Sequence, residues 1–284
     1  MVKLVDTKDL KSLPYGSASS SLAEGTRIEM NKFHFTFDKN KKSQELKKKL
    51  LKKYKNYNAN LSDVILVAGG DGYMLNILKK YAKLKKPFYG INCGTFGFLM
   101  NKYTSKNIEK KINKAKKIAI NPLEVFIVNQ KNKKILIAVN EVSIFRQSKQ
   151  TASLRLEVEK KIIIKKLIGD GVLISTPAGS TAYNLSVHGP ILSLNSGKLA
   201  ITPISPFRPR RWKGKIVSNH SIIKLTNLDP KKRPVAAVAD NIEIRNIKTL
   251  TVKIKKSINL VLLYDPERSL VKRIKLEQLR KNFN

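Results

Sequence analysis

The sequence predicts an α/β domain followed by a β-rich domain, and three observations carry that reading. The first is a strand, glycine turn and helix in succession at Leu61–Leu78, LSDVILVAGGDGYMLNIL. The second is another glycine turn directly after an apolar run, Pro87–Ile91 leading into Asn92–Leu99. The third is a change of pattern after Pro122, beyond which short alternating runs replace helical periods.

Taken in order, residues 1–29 have neither hydrophobic periodicity nor the lysine bias of the remainder. They resemble the translation of a transfer-RNA gene region and are expected to be a disordered leader, with Met30 as the natural start. Phe33, Phe35 and Phe37 alternate as in a half-buried strand, and Ser43–Tyr57 reads as a Lys-rich amphipathic helix. Val64–Ala68 fits a buried parallel strand, with a helix through Met74, Leu75, Leu78 and Tyr81. Pro87–Ile91 is the next strand, and Ser105–Lys117 is a helix that closes residues 30–121 as the α/β domain.

Strands are then expected at Leu123–Asn129, Ile135–Asn140, Leu154–Val158, Val172–Ser175, Lys215–Leu225, Ile242–Ile247 and Leu250–Ile254. These make residues 122–257 the β-rich domain. A strand at Asn259–Tyr264 and a helix at Ser269–Arg280 place 258–284 back against the first domain.

Composition removes several classes of function. No apolar run approaches the roughly 20 residues needed to cross a bilayer, so no membrane role is expected. The single cysteine, Cys93, cannot form an internal disulfide and suits a reducing compartment, hence the cytoplasm. His34, His188 and His220 match no zinc-ligand spacing. The net charge of +37 invites a nucleic-acid reading. The lysines, however, lie on helix-like faces mixed with Asn and Ile, which reads as a solvated surface with no specific nucleic-acid partner. Such a field still steers polyanionic nucleotides inward.

Gly69, Gly70, Asp71 and Gly72 sit between strand and helix, where glycines let phosphate oxygens approach the main chain. A carboxylate inside such a cradle repels phosphates unless it holds a metal or takes a proton from an attacking hydroxyl. The plainer alternative is a turn with Asp as helix N-cap. Two such glycine turns meet at the carboxyl ends of neighbouring strands in a doubly wound sheet, where ligands bind.

The second domain carries two polar islands. Asn140–Glu141 ends an apolar run; an amide beside a carboxylate can read a base edge or a ribose diol, or simply close a turn. The longer island, GDGVLISTPAGSTAYNLS at 169–186, offers hydroxyls, backbone amides and the stacking face of Tyr183. Arg208, Arg210 and Arg211 beside Trp212 read as structural or subunit-interface residues ahead of phosphate ligands.

GGDG, NCGTFGFL, NE and GDGVLISTPAGSTAYNLS together resemble the NAD kinase family in order and spacing, and the continuation HGPILSLNSGKLAITPISPFRPRRWKG looks most like its alphaproteobacterial branch. GGDG alone is shared with diacylglycerol and sphingosine kinases, which lack the STPAGSTAYNLS loop. The resemblance implies a Rossmann-like N-terminal α/β domain, a C-terminal β-sandwich, and phosphorylation of the 2′-hydroxyl of the adenosine ribose of NAD⁺. A lipid kinase, or a basic nucleotide- or nucleic-acid-binding protein without catalysis, is the alternative.

Carried over by motif, Asp71 is the proton acceptor, and Asp71 and Gly72 lie against the dinucleotide. Asn140, Glu141, Asp170, Ala178, Thr181, Ala182, Tyr183, Asn184, Leu185 and Ser186 contact NAD. Gly69, Gly70 and Gly72, with Asn92, Gly94, Thr95 and Gly97, hold the phosphoryl donor. ATP is the implied donor, with Mg²⁺ or another divalent cation whose protein ligands the resemblance does not name. A homodimer or homotetramer is expected. Asp240 occupies a second family motif, but Asn241 departs from the Gly or His that usually follows, which leaves its contact open.

Overall fold

The computed structural model describes residues 30–95, 97–129 and 132–266. The expected leader at 1–29, Phe96 and the helix expected at Ser269–Arg280 lie outside the described residues.

The first domain is built on strands β1 (Phe33–Phe37), β2 (Val64–Gly69) and β3 (Phe88–Asn92), with helix α1 (Lys41–Lys53) between the first two and α2 (Asp71–Tyr81) before the third. Helix α3 (Ile108–Lys114) and strand β4 (Lys116–Ile120) follow. The last described strand, called β17 (Leu260–Tyr264), returns to complete a sheet of order β1-β2-β3-β17-β4. All neighbours are parallel except β17 and β4.

Every residue of β2 is buried, because the sheet is covered on both faces. Side chains alternate across it. Leu66 and Ala68 pack with Leu46 and Leu50 of α1 and Ile108 and Ile112 of α3. Ile65 and Val67 pack with Met74, Ile77 and Leu78 of α2 on the other face.

The second domain contains β5 (Leu123–Asn129), β6 (Lys133–Ala138), β7 (Glu141–Arg146), β8 (Ala152–Val158), β9 (Lys161–Gly169) and β10 (Gly171–Ser175). After a 3-10 turn at Gly179–Thr181 and the short helix α4 (Tyr183–Ser186) come β11 (Lys198–Ile204), β12 (Lys215–Ser218), β13 (Ile223–Asn227), β14 (Val235–Ala239), β15 (Ile242–Ile244) and β16 (Ile247–Ile254). They form two antiparallel six-stranded sheets, β12-β11-β10-β7-β14-β15 and β6-β5-β16-β13-β8-β9. One core fills the space between them, with Val142, Ile144, Val172 and Ile174 from the first sheet facing Val125, Leu156, Leu225 and Leu250 from the second. This is a β-sandwich.

Several expected boundaries move. The first helix stops at Lys53, where Tyr54 turns extended, and does not reach Tyr57. The helix expected at 105–117 is only Ile108–Lys114, since Lys116–Ile120 is drawn into the sheet edge by pairing with β17. The run 215–225 divides into β12 and β13 in different sheets. Strands β7, β9, β11 and β14 are additional to those expected.

The domains meet on the α2 face of the first sheet. Val139 and Ala178 of the second domain share a buried cluster with Met74, Leu78, Leu99 and Met100 of the first. Among the described residues no helix is long and apolar enough to cross a membrane.

Candidate functional site

The two glycine turns lie side by side. Strands β2 and β3 are adjacent and parallel, with Gly69 paired to Asn92 at their carboxyl ends. The Cys93 amide donates to the Gly69 carbonyl at 2.8 Å, and the Gly94 amide to Asn92 Oδ1 at 2.9 Å. Gly94 and Thr95 are exposed beside them. A Cβ on Gly70 or Gly72 would meet nothing within 4 Å, so the mouth of the first turn is open.

Asp71 is not a helix N-cap. Gly70 takes that position, and Asp71 is the first residue of α2. Its carboxylate reaches across to the second turn, where Oδ2 accepts the Phe98 amide at 2.6 Å and Oδ1 the Leu99 amide at 3.1 Å. Gly97 is required there, since a Cβ would lie 2.7 Å from Asp71 Oδ1. Two backbone donors therefore orient the acid between the glycine turns.

Asn140 and Glu141 lie in the tight connection between β6 and β7, with Glu141 opening β7. Both leave an acceptor enclosed and without a hydrogen-bond partner among the described residues, Asn140 Oδ1 and Glu141 Oε2. Buried polar atoms are rarely left unpaired unless a ligand or water completes them. Burial, and then the nearby Asp240 carboxylate, pushes the Glu141 carboxyl up to about 8.

The loop after β10 packs on this connection. Thr176 donates its hydroxyl to the carbonyls of Val139 at 2.8 Å and Asn140 at 3.0 Å, while its amide also binds the Asn140 carbonyl. Tyr183, half-exposed, has its ring centroid 5.7 Å from that of Phe145 on β7. Burial, then the Asp170 and Glu141 carboxyl groups, raise the Tyr183 hydroxyl above the usual tyrosine range, which puts these three residues in one neighbourhood. Asp170 is held by Arg146 Nε at 2.5 Å.

Asp240 joins these pieces to the first domain. It sits at positive φ in the β14–β15 turn, its side chain 1% exposed. The carboxylate accepts the Val139 and Asn140 amides at 2.9 Å each and lies 3.1 Å from the ammonium of Lys79 on α2.

The Asn184 side chain has its partners within the protein. It is fully buried, donating to the Pro190 carbonyl at 2.9 Å and accepting from Thr202 at 2.7 Å, so the amide supports the loop. Thr181 and Ala178 are buried, whereas Ala182 and Leu185 are half-exposed and Ser186 is exposed. A cavity of about 190 Å³ reaches Ala178 from the side of Ile120, Asn121 and Lys198 and touches no other predicted site residue. Cys93 is buried and its thiol pushed up by burial, as a packing residue requires. Arg208 and Arg210 lie over the exposed Phe207 ring.

Lys79, Phe145, Arg146 and Thr176 were not among the sequence-predicted contacts. Thr176 lies within the STPAG run and Asp240 within a motif, but Lys79 looks like any other surface lysine on an amphipathic helix.

The comparisons with known proteins follow the same division of the chain. The ATP-NAD kinase N-terminal domain matches residues 15–117, and the ATP-NAD kinase C-terminal domain matches 139–265. An NAD kinase of Zymomonas mobilis is 46% identical over 242 residues, covering 84% of this chain and 94% of that protein. The chain belongs to the NAD kinase family. An NAD kinase of Brucella suis is 41% identical over 248 residues, covering 87% of this chain and 96% of that protein.

Two solved structures share the NAD kinase fold with this chain. An Archaeoglobus fulgidus NAD kinase in complex with ATP aligns with a TM-score of 0.69 at 22% identity, over 86% of this chain and 98% of that one. Yeast NADH kinase complexed with NADH aligns at 0.67 and 23% identity, over 78% of this chain and 68% of that one.

Proposed function

We propose that this chain is an ATP-dependent NAD kinase that phosphorylates the 2′-hydroxyl of the adenosine ribose of NAD⁺, with Asp71 as the proton acceptor. The observation that carries the residue assignment is the pairing of an oriented acid between two glycine turns with enclosed, unpartnered acceptors on Asn140 and Glu141. A nucleoside supplies the missing donors through its hydroxyls and exocyclic amine.

A ribose hydroxyl is a weak nucleophile, and phosphoryl transfer has a loose transition state. The protein has chiefly to align the hydroxyl with the γ-phosphate, offset charge and accept a proton late. Asp71 does the last of these, its carboxylate held against rotation by the Phe98 and Leu99 amides. Gly69, Gly70 and Gly72, with Asn92, Gly94, Thr95 and Gly97, present backbone to the donor phosphates. Asn140 and Glu141 take the adenosine, Tyr183 stacks on its base, and Asp170 with the loop through Ala182, Leu185 and Ser186 borders the remainder.

The divalent cation enters with the nucleotide, as MgATP. Among the described residues no three His, Cys, Asp or Glu side chains gather as metal ligands. Phosphate oxygens and water can supply its ligands, as hard, strongly hydrated Mg²⁺ favours. We place the enzyme in the cytoplasm as a homodimer or homotetramer associating through the sandwich, where Ile162, Ile216 and Ile222 are exposed; light scattering tests the assembly.

The deciding assay incubates pure protein with NAD⁺, ATP and Mg²⁺ and measures NADP⁺. Formation of NADP⁺ is expected. Its absence, with phosphorylation of a diacylglycerol or sphingoid base instead, overturns the assignment.

A further inference from the structure

We infer that Lys79 is a positioning residue, whose grip on the Asp240–Asn241 turn sets the Asn140–Glu141 connection at a fixed height along α2 relative to Asp71. This rests on the reading of Asp71 as proton acceptor and of Asn140 and Glu141 as dinucleotide contacts.

The path is short and made of directional bonds. Lys79 Nζ lies 3.1 Å from the Asp240 carboxylate and donates to Asn241 Oδ1 at 3.0 Å. Asn241 Nδ2 in turn donates to Asn76 Oδ1, one turn earlier on α2, at 3.4 Å. The same Asp240 carboxylate accepts the amides of Val139, Asn140 and Glu141 at 2.9, 2.9 and 3.4 Å. Asp71 and Lys79 stand on one unbroken helix, eight residues and so about 12 Å apart along its axis. The base and the adenosine contacts are therefore two ends of one chain of bonds.

Burial explains why this link has consequences that a surface ion pair lacks. The Asp240 side chain is 1% exposed and that of Lys79 18%, so salt screens the pair weakly. A buried carboxylate carries a large desolvation cost, offset here by backbone amides and one ammonium. Apolar packing between Val139, Ala178, Met74 and Leu78 already holds the domains together. Apolar packing is non-directional, whereas the pair fixes register, and a misplacement of about 1 Å is enough to slow an aligned reaction by roughly 10²-fold. Removing the ammonium leaves the Asp240 charge to draw other donors, and the Asn140–Glu141 connection moves with it.

The test compares Lys79→Met, Lys79→Arg and Asn241→Gly with the wild type, by NAD⁺ calorimetry, by KM for NAD⁺ and ATP separately, and by thermal midpoint. Lys79→Met is expected to raise the NAD⁺ Kd and KM about tenfold with the ATP KM within about twofold. Lys79→Arg should restore most of the loss. Asn241→Gly keeps the ion pair and should raise the NAD⁺ KM about threefold.

Unchanged NAD⁺ affinity in Lys79→Met overturns the inference. So does a parallel rise in both KM values that arginine does not rescue, which marks a structural role. Should Lys79→Met fail to fold, an unchanged NAD⁺ KM in Asn241→Gly overturns it alone. A wild type that binds NAD⁺ without forming NADP⁺ sinks the proposed function but leaves the calorimetric arm in force; one that binds no NAD⁺ sinks both.

Discussion

Gly179 lies so close to Asn140 that a Cβ on it would stand 2.2 Å from the Asn140 carbonyl oxygen. The loop following β10 and the Asn140–Glu141 connection are thus in backbone contact, and Thr176 bonds them together beside that point. Substitution at Gly179 has no flexible neighbour to displace. Gly179→Ala should therefore lower unfolding free energy by about 3 kcal/mol, the upper range for overpacking, and weaken NAD⁺ binding as Asn140 shifts. Urea denaturation and NAD⁺ titration check this; an unchanged urea midpoint would show that the contact relaxes freely.

Glu141 makes stability depend on pH in a definite direction. Its carboxyl is raised to about 8 in the folded protein, by burial first and the Asp240 carboxylate second. In the unfolded chain it titrates near about 4.3. Between these values the folded state keeps a proton that the unfolded state has released. The contribution is accordingly full below about 4.3 and lost as pH rises through 8. Glu141→Gln stays neutral, so its thermal midpoint should gain on the wild type from pH 5 upward and hold a constant advantage above pH 8. A difference independent of pH would mean that Glu141 titrates normally.

If NAD⁺ bonds the ionised form of Glu141, binding must release a proton near neutrality. Calorimetry at pH 7 in two buffers of different ionisation enthalpy should give different apparent binding enthalpies in wild type and equal ones in Glu141→Gln. Equal values in both proteins would show that Glu141 keeps its proton when NAD⁺ binds.

Tyr183 is assigned a stacking face, and that role belongs to the ring, not the hydroxyl. Aromatic stacking on a base contributes about 1–3 kcal/mol, so Tyr183→Ala should weaken NAD⁺ binding about tenfold or more. Tyr183→Phe should stay within about twofold, because the ring keeps its place beside Phe145. Loss of affinity in the phenylalanine variant would reassign the residue to a hydrogen bond.

The α/β part and the motif residues were readable in the sequence for physical reasons. Val64–Ala68 is a continuous apolar run because both faces of its sheet are covered, and Phe33, Phe35 and Phe37 carry the strand period without interruption. The strand β14, VAAVA, was invisible because alanine has little strand preference and its burial is imposed by the facing sheet. The helix at Ser105–Lys117 was overextended at its end because Lys116 and Lys117 continue its lysine-rich run, while pairing with β17, more than a hundred residues later, makes Lys116–Ile120 a strand.

The candidate site divides in the same way. Asp71, Asn140, Glu141 and Tyr183 stand in motifs whose residue types fit the chemistry. Lys79 became distinguishable from its many exposed counterparts only through its position against Asp240, a relationship between residues 161 positions apart. The departure at Asn241 acquired a partner in that same contact.

Steady-state turnover of Asp71→Asn with saturating NAD⁺ and MgATP tests most directly that Asp71 accepts the ribose proton. Turnover should fall at least ~10²-fold, the scale of lost general-base help, while the variant still folds and binds NAD⁺. Turnover equal to that of the wild type would contradict the account.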